Sequence, residues 1–159
     1  LGCHILLEAG EPVGLIGTLG SRTAKAGDAY ASSGHTTPMA NELQARLADM
    51  EREGIRSVVM EVSSHALDQH RVTGCDFRVA VVTNLTQDHL DYHKTMDAYF
   101  QAKARLFARM APGPDKAAVV NLDDAYAQRF LAAVPPGVRS YTYAIKDPSA
   151  DVRAMDLSY

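Results

Sequence analysis

The chain has 159 residues, 47% of them apolar, and a formal net charge of -3. This length allows one domain with a hydrophobic core, and an acidic chain without a run of lysines or arginines is not expected to bind nucleic acid. No apolar run approaches the roughly 20 residues that cross a bilayer, so membrane insertion is excluded and we expect a soluble, cytoplasmic protein.

Apolar runs and turn residues predict strands and helices that alternate along the chain. The predicted elements are the end of a helix at residues 1–10, a strand at 13–16, a polar loop at 17–38, a helix from 38 to 54, strands at 57–61 and 79–82, a helix around Lys103, a strand at 116–121, a helix at 124–134, a strand at 139–143 and a weak β element at 151–159. Thr37 is the expected N-cap of the second helix, with Pro38 as its first residue. This order is typical of an α/β fold, and we predict one doubly wound, mostly parallel sheet with helices on both faces.

Polar side chains follow the predicted strands at their carboxyl ends, the edge where open parallel sheets bind ligands. Carboxylates, an imidazole and hydroxyls suit a divalent cation and phosphate oxygens. These residues are Thr18, Glu61, Ser63, Ser64, Asn84, Asp88, His89, Asn121, Asp123 and Asp124. The run at 79–82, which feeds the loop with Asp88 and His89, is apolar throughout, and we expect it to be buried.

Lys103 occupies an unusual place on its predicted helix. At about 100° per residue it falls in the middle of an apolar arc formed by Met96, Tyr99, Phe100, Leu106, Phe107 and Met110. Burying an unpaired ammonium is costly. Either the methylene stem packs with the aromatic residues while the nitrogen reaches water, or burial lowers the pKa of the amine so that its neutral form can react.

Shorter patterns each leave two interpretations open. Glu61 either holds magnesium at the end of its strand or caps the following helix. His89 and His93, four residues apart, are spaced either as a zinc dyad or as histidines of a polar loop. Thr36 and Thr37 stand at a helix start that either binds an anion or is an ordinary N-cap.

Two further patterns do not favour their usual enzyme classes. Ser64-His65 follows a strand, but the Gly-x-Ser-x-Gly elbow is absent, so a serine hydrolase is not favoured. Residues 17–20 lack the Gly-Lys-Ser/Thr of a phosphate-binding loop, and they predict a turn.

Three segments closely resemble the central domain of the Mur ligases, and among them the enzymes that add the third peptide residue in peptidoglycan synthesis. They are His35-Thr36-Thr37-Pro38, then Met60-Glu61-Val62-Ser63-Ser64-His65-Ala66-Leu67-Asp68-Gln69-His70-Arg71, and Thr83-Asn84-Leu85-Thr86-Gln87-Asp88-His89-Leu90-Asp91-Tyr92-His93 through Lys103. Their order and spacing extend across nearly the whole chain, including residues 121–124.

The resemblance implies roles for residues at matching positions. Lys103 resembles the lysine that carbon dioxide carbamylates, His89 a ligand of the same Mg²⁺, and Glu61 a ligand of a second Mg²⁺ beside the phosphates of ATP. The residues that resemble the family's site for UDP-N-acetylmuramoyl-dipeptide are His35, Thr36, Thr37, Ser63, Gln69 and Arg71. The implied reaction joins an amino acid to that dipeptide through an acyl phosphate.

The resemblance also has gaps. The family's phosphate loop, expected about one helix before Val13, is not in the sequence, and neither are the N-terminal uridine-binding domain and the C-terminal amino-acid-binding domain. We therefore interpret residues 1–159 as a partial central domain, and we expect the isolated chain to fold marginally and not to ligate. His35 stands where some relatives have asparagine.

Two other functional classes remain open. A metal-dependent phosphohydrolase built on Asp88, His89 and His93 would release phosphate without an amine acceptor. A non-catalytic relic or scaffold domain is favoured if the gene begins at Leu1, because little would then hold ATP.

Overall fold

The computed structural model describes residues 2–23 and 34–156, and the chain divides into two compact units, Leu1–Gly74 and Cys75–Tyr159. Each unit contains its own sheet. The predicted α/β class is confirmed, since the sheets are mostly parallel and helices alternate with their strands. The predicted strands divide between these two sheets. No helix in the described ranges is long and apolar enough to cross a membrane.

The first unit pairs three strands in the order β2-β1-β3. Its elements are α1 (Gly2–Glu8), β1 (Val13–Gly17), β2 (Gly20–Thr23), α2 (Ala40–Arg52), β3 (Ser57–Met60) and α3 (Ser64–Asp68). Strands β1 and β3 are parallel, with Val13 opposite Ser57. Val13, Ile16 and Leu43 are fully buried, so strand β1 and helix α2 share the core of this unit.

Two predictions about the first unit are wrong, one about the loop at 17–38 and one about the start of helix α2. The loop predicted at 17–38 contains strand β2, which pairs antiparallel with β1 and places Gly17 opposite Gly20 across the expected turn. Its sequence Gly-Ser-Arg-Thr has no apolar alternation, so nothing in the pattern marks it as a strand. Residues 24–33 of that loop lie outside the described ranges. Helix α2 begins at Ala40 with Met39 at the N-cap position, so Thr37 does not cap it.

The second unit has a four-stranded, all-parallel sheet in the order β4-β5-β6-β7. Its elements are β4 (Val79–Val82), α4 (Leu90–His93), α5 (Met96–Ala108), β5 (Ala117–Asn121), α6 (Ala127–Ala132), β6 (Arg139–Ala144) and β7 (Val152–Arg153). The weak β element predicted at the end of the chain is present as β7, and residues 157–159 lie outside the description. Helix α6 begins three residues later than predicted, because Asp124 forms a turn.

Strand β4 is buried on one face only, which corrects the prediction from its apolar run. Ala80 and Val82 are buried, whereas Val79 and Val81 are 51% and 50% exposed. Successive side chains of a strand point to opposite faces, so only alternate residues of β4 reach the core of the unit. An all-apolar run cannot show by itself which of its faces is covered.

Helix α5 packs its aromatic residues around Phe130 of α6. The ring centroids of Phe100 and Phe107 lie 4.9 Å and 6.0 Å from that of Phe130. Phe107 and Phe130 are fully buried. This cluster fixes the rotation of α5 and therefore the direction in which Lys103 points.

The start of α5 provides a test of local stability. Thr95 is the N-cap residue, and its side-chain oxygen accepts a hydrogen bond from the Ala98 amide at 3.1 Å. We expect Thr95→Ala to lower the free energy of unfolding by about 1 kcal/mol, measured as a lower midpoint in urea denaturation, because a helix amide loses its acceptor. Thr95→Ser keeps the hydroxyl and should stay within about 0.5 kcal/mol of the parent.

Candidate functional site

Glu61 lies directly after β3, with its carboxylate over the β1-β2 turn. The backbone N–H and the hydroxyl of Thr18 donate to Glu61 Oε2 at 2.9 Å and 2.7 Å. A Cβ atom at Gly17 would stand 2.9 Å from Glu61 Cδ, so only glycine leaves room for the carboxylate there. Ser63, and not Glu61, is the N-cap of α3, so the helix-capping interpretation of Glu61 is wrong. The exposed carboxylate is available to a cation or another donor.

Thr37 connects the chain before α2 to the segment after β3. Its buried hydroxyl donates to Glu61 O at 2.9 Å and accepts from Ser63 N–H at 3.0 Å. The hydroxyls of Thr18 and Thr36 lie 3.2 Å apart. Within the first unit, the structure therefore brings together three residues that the resemblance assigned to substrate, Thr36, Thr37 and Ser63, around the strand end that carries Glu61.

Arg71 is buried and uses its donors within the first unit. Nη1 donates to Thr37 O at 2.9 Å, while Nε and Nη2 donate to Gln69 Oε1 at 2.9 Å and 2.5 Å. Each of these acceptors is neutral, so none of them cancels the guanidinium charge. His35 is exposed at the surface before α2. The structure thus gives Arg71 and Gln69 a structural role that the sequence pattern did not reveal.

This arrangement predicts a stability effect at Arg71. We expect Arg71→Lys to lower the free energy of unfolding by about 2 kcal/mol, because an ammonium cannot make the forked contact to Gln69 and still reach Thr37 O. Thermal or urea denaturation measures the change. The control is Arg52→Lys at an exposed ion pair with Asp49, which should change stability by less than about 0.5 kcal/mol. Equal effects would show that the buried fork does not stabilise the fold.

Lys103 is half-buried on α5, as the periodicity indicated. Its Nζ donates to Asn84 O at 3.1 Å and lies 5.3 Å from the ring centroid of Tyr99. Burial lowers the pKa of Lys103, and the carboxylates of Asp124 and Asp88 oppose that shift. The direction of this pKa shift agrees with the second interpretation, and the reactivity of the neutral amine stays a prediction.

Tyr99 contacts both Lys103 and the rings of His89 and His93. The His93 ring stacks on Tyr99 with centroids 5.1 Å apart, and the His89 ring meets it edge-on at 5.9 Å. His89 precedes α4 with φ +54, and its backbone N–H donates to Asp88 Oδ1 at 2.7 Å. Burial, and then Asp88, raises the pKa of Tyr99. Sequence reasoning treated Tyr99 as core, although its spacing four residues before Lys103 could have identified it as a neighbour.

A preformed zinc site is not found among the described residues. There, no group of three or more His, Cys, Asp and Glu side chains is arranged to hold a metal ion. His93 is buried and stacked on Tyr99. Asp88 and His89 are exposed neighbours, with His89 Nε2 3.5 Å from Asp88 Oδ2. The zinc-dyad interpretation of His89 and His93 therefore has no third ligand of these types in the described part of the chain.

The carboxylates after β5 bind backbone amides. Asp124 accepts from the amides of Leu85 and Tyr126 at 2.7 Å and 2.8 Å. Asp123 accepts from Ile145 N–H at 2.7 Å and from two amides that follow it. These hydrogen bonds lower the pKa of Asp123. Residues 121–124, which the sequence placed at the ligand-binding edge, thus connect neighbouring loops of the second unit.

Comparison with known proteins identifies a family. The model of the Mur ligase middle domain matches residues 3–159. The UDP-N-acetylmuramoyl-L-alanyl-D-glutamate--2,6-diaminopimelate ligase of Synechococcus elongatus is 52% identical over 156 residues, which are 98% of this chain and 30% of that protein. The ligase of the same name from Geobacter metallireducens is 46% identical over 94% of this chain and 29% of its own length. The chain thus spans about 30% of the length of these curated relatives.

Solved structures agree with this match. The structure of a UDP-N-acetylmuramoyl-L-alanyl-D-glutamate--2,6-diaminopimelate ligase is 35% identical with a TM-score of 0.84, covering 99% of this chain and 31% of that one. MurF from Acinetobacter baumannii is 18% identical with a TM-score of 0.66 over 96% of this chain and 29% of its own, which shows a shared fold.

Proposed function

This chain belongs to the Mur ligase family, and we propose that it forms the middle part of an ATP-dependent ligase that joins an amino acid to UDP-N-acetylmuramoyl-L-alanyl-D-glutamate. The observation that carries the proposal is Lys103, a half-buried lysine with a lowered pKa and an amine fixed on a backbone carbonyl. Such an amine has a larger neutral fraction than an exposed lysine, and the neutral amine is the form that reacts with carbon dioxide.

Carbamylation would convert Lys103 from a cation into an anionic oxygen ligand. The negative charge of the carbamate suits a magnesium ion, which prefers carboxylate-like oxygens and water. His89 and Asp88 are exposed on the same unit, and the His89 ring lies near Tyr99, the ring that the Lys103 amine also approaches. In this proposal Lys103 as its carbamate and His89 hold one Mg²⁺. The carbamate would then add an anionic oxygen ligand that the His, Cys, Asp and Glu side chains of the described residues do not supply as a preformed group.

Glu61 has the chemistry for the other Mg²⁺, beside the ATP phosphates. One of its oxygens is oriented by Thr18, and the carboxylate is exposed. An oriented carboxylate at a strand end is a common magnesium ligand in phosphoryl transfer. Magnesium supplies charge neutralisation on the phosphate oxygens when it is bound.

The first unit also supplies the proposed contacts to the muramoyl dipeptide. His35 is exposed and Thr36 is partly exposed. The Thr37 hydroxyl accepts a hydrogen bond from the Ser63 amide. The positive charge of Arg71 is not cancelled by Thr37 O or Gln69 Oε1, so it favours an anionic substrate nearby. We propose that Arg71 and Gln69 contribute mainly by holding Thr37 in place.

The proposed reaction has two steps. The glutamyl γ-carboxylate attacks the γ-phosphorus of ATP, which forms an acyl phosphate and releases ADP. The amino group of the incoming amino acid then attacks the acyl carbon, the C–O bond to phosphate breaks, and inorganic phosphate leaves with loss of a proton from nitrogen. Most of the catalysis in phosphoryl transfer comes from positioning and electrostatic stabilisation.

The names of the relatives extend the proposal to the incoming amino acid. The sequence alone leaves that residue open, but the relatives that match most of this chain are called 2,6-diaminopimelate ligases. We propose diaminopimelate as the acceptor amine. ATP and nucleotide-linked precursors as substrates place the proposed reaction in the cytoplasm.

The test is to express the complete open reading frame that contains this sequence and to follow phosphate release with MgATP. We expect sustained release only when the UDP-muramoyl-dipeptide and diaminopimelate are both present, with an amide product detected by mass spectrometry. A metal-dependent phosphohydrolase would release phosphate without the amine. A non-catalytic protein would release none under any condition, and either result contradicts the proposal.

A further inference from the structure

Two side chains after β5 hold the loop that follows β4. Asn121 Nδ2 donates to Thr83 O at 2.9 Å, and the Leu85 amide donates to Asp124 Oδ2 at 2.7 Å. Thr83 and Leu85 are the two neighbours of Asn84, so the backbone of Asn84 is fixed from both sides. We call the side chains of Asn121 and Asp124 the 121–124 clamp.

The backbone segment held by the clamp carries the acceptor of the Lys103 amine. Lys103 Nζ donates to Asn84 O at 3.1 Å. A lysine side chain is long and flexible, and fixing its end costs rotamer entropy. The position of the Asn84 carbonyl therefore determines where the amine rests. A loose 83–85 segment would leave the amine without a fixed partner.

The two side chains of the clamp form local hydrogen bonds in their own turn and also bind the distant 83–85 segment. Asn121 Oδ1 accepts from the Asp123 amide and Asp124 Oδ1 accepts from the Tyr126 amide, which are local turn contacts. The second polar atom of each side chain instead reaches 38 or 39 residues back along the chain. Asp123, which stands between them, directs its carboxylate to the different loop that begins at Ile145. Asp123 therefore provides a control position within the same turn.

We propose that Asn121 and Asp124 are positioning residues that act through the Asn84 carbonyl to fix the Lys103 amine. The consequence for catalysis rests on the proposed function, because a fixed amine matters to the reaction only if Lys103 takes part in it. The position of the amine itself does not depend on that function.

The test measures the reactivity of the Lys103 amine toward an acylating reagent, in the complete open reading frame that contains this sequence. Acetic anhydride labels lysines, and mass spectrometry gives the rate at Lys103. Asp124→Ala is compared with Asp124→Asn, since both remove the charge but the amide oxygen of asparagine can still accept from Leu85 N–H. Asn121→Ala removes the other arm of the clamp, and Asp123→Ala is the neighbouring control.

We expect the acetylation rate at Lys103 to rise about tenfold in Asp124→Ala relative to Asp124→Asn, a factor that the loss of one hydrogen bond can produce. Asn121→Ala should also raise the rate, and Asp123→Ala should leave it unchanged. Equal rates in the two Asp124 variants would overturn the proposal. An equal rise in Asp123→Ala would overturn it as well, because the turn would then act only on general stability.

A second readout separates this inference from the proposed function. After incubation with ¹³C-bicarbonate, we expect a carbamate carbon signal in the parent protein, weaker in Asp124→Ala than in Asp124→Asn. If the parent shows no signal, the proposed role of Lys103 fails, and the acetylation rates still decide the clamp. If the parent shows the signal and Asp124→Ala keeps it at full strength, the clamp does not position the amine for its reaction.

Discussion

We expect Lys103→Ala in the complete open reading frame to lower kcat/KM for ligation by about a thousandfold, the upper range for losing one electrostatic stabiliser of the transition state. The physical reason is the loss of the anionic ligand that the carbamate would provide. Lys103→Met is the matched variant, because it keeps the apolar stem beside Tyr99 and removes only the amine. Both variants should lose activity equally, which steady-state assays of phosphate and amide product measure.

The response to carbon dioxide distinguishes this role from a structural one. Depleting carbon dioxide should lower the activity of the parent, and added bicarbonate should restore it, whereas Lys103→Met should not respond. The exposed Lys146 gives the control Lys146→Ala, which should keep parent activity and its bicarbonate response. Normal turnover of Lys103→Met would show that ligation does not require a carbamate on Lys103.

Gly17→Ala should lower kcat/KM by about a hundredfold with little change in stability. The new Cβ would lie 2.9 Å from Glu61 Cδ, and this flexible carboxylate can swing away at small energetic cost. That movement breaks its two contacts with Thr18. The apparent affinity for Mg²⁺ should fall as well, which a magnesium titration of the ATP-dependent reaction measures.

The control lies on the same strand. A Cβ at Gly14 would stand 2.6 Å from Met50 Sδ in the core of the first unit. Gly14→Ala should therefore lower the unfolding free energy by about 1–3 kcal/mol, as overpacking does, and leave the activity per folded molecule unchanged. If Gly17→Ala also lowers the unfolding free energy and leaves the activity per folded molecule unchanged, its effect comes from packing and not from the displacement of Glu61.

The sequence predicted those features that depend on local periodicity. Strands β1, β3, β4 and β5 follow from short apolar runs, and the position of Lys103 follows from the spacing of aromatic residues on one helix. Strand β2 could not be predicted in the same way because its residues are polar and its pairing with β1 is set by a two-residue turn. The exposure of Val79 depends on which face of the sheet is covered, and a run of valines does not contain that information.

The sequence also singled out candidate residues in each unit without showing which contacts hold them in place. Glu61 and His89 stood out after predicted strands and Lys103 within an apolar arc, whereas their roles as ligands came from the resemblance and stay predictions. The bond from Arg71 to Thr37 O joins residues 34 positions apart, and the bond from Leu85 to Asp124 joins residues 39 apart. Contacts over such separations form only once the strands are paired, so residue types and spacing cannot predict them.

The most direct test of the central claim follows an oxygen atom. The UDP-muramoyl-dipeptide is prepared with ¹⁸O in its glutamyl γ-carboxylate and is incubated with MgATP, diaminopimelate and the complete protein. We predict that one ¹⁸O atom appears in the inorganic phosphate released, because the carboxylate oxygen attacks the γ-phosphorus and leaves with it. Unlabelled phosphate would contradict the account, because water would then be the nucleophile and the protein a phosphohydrolase.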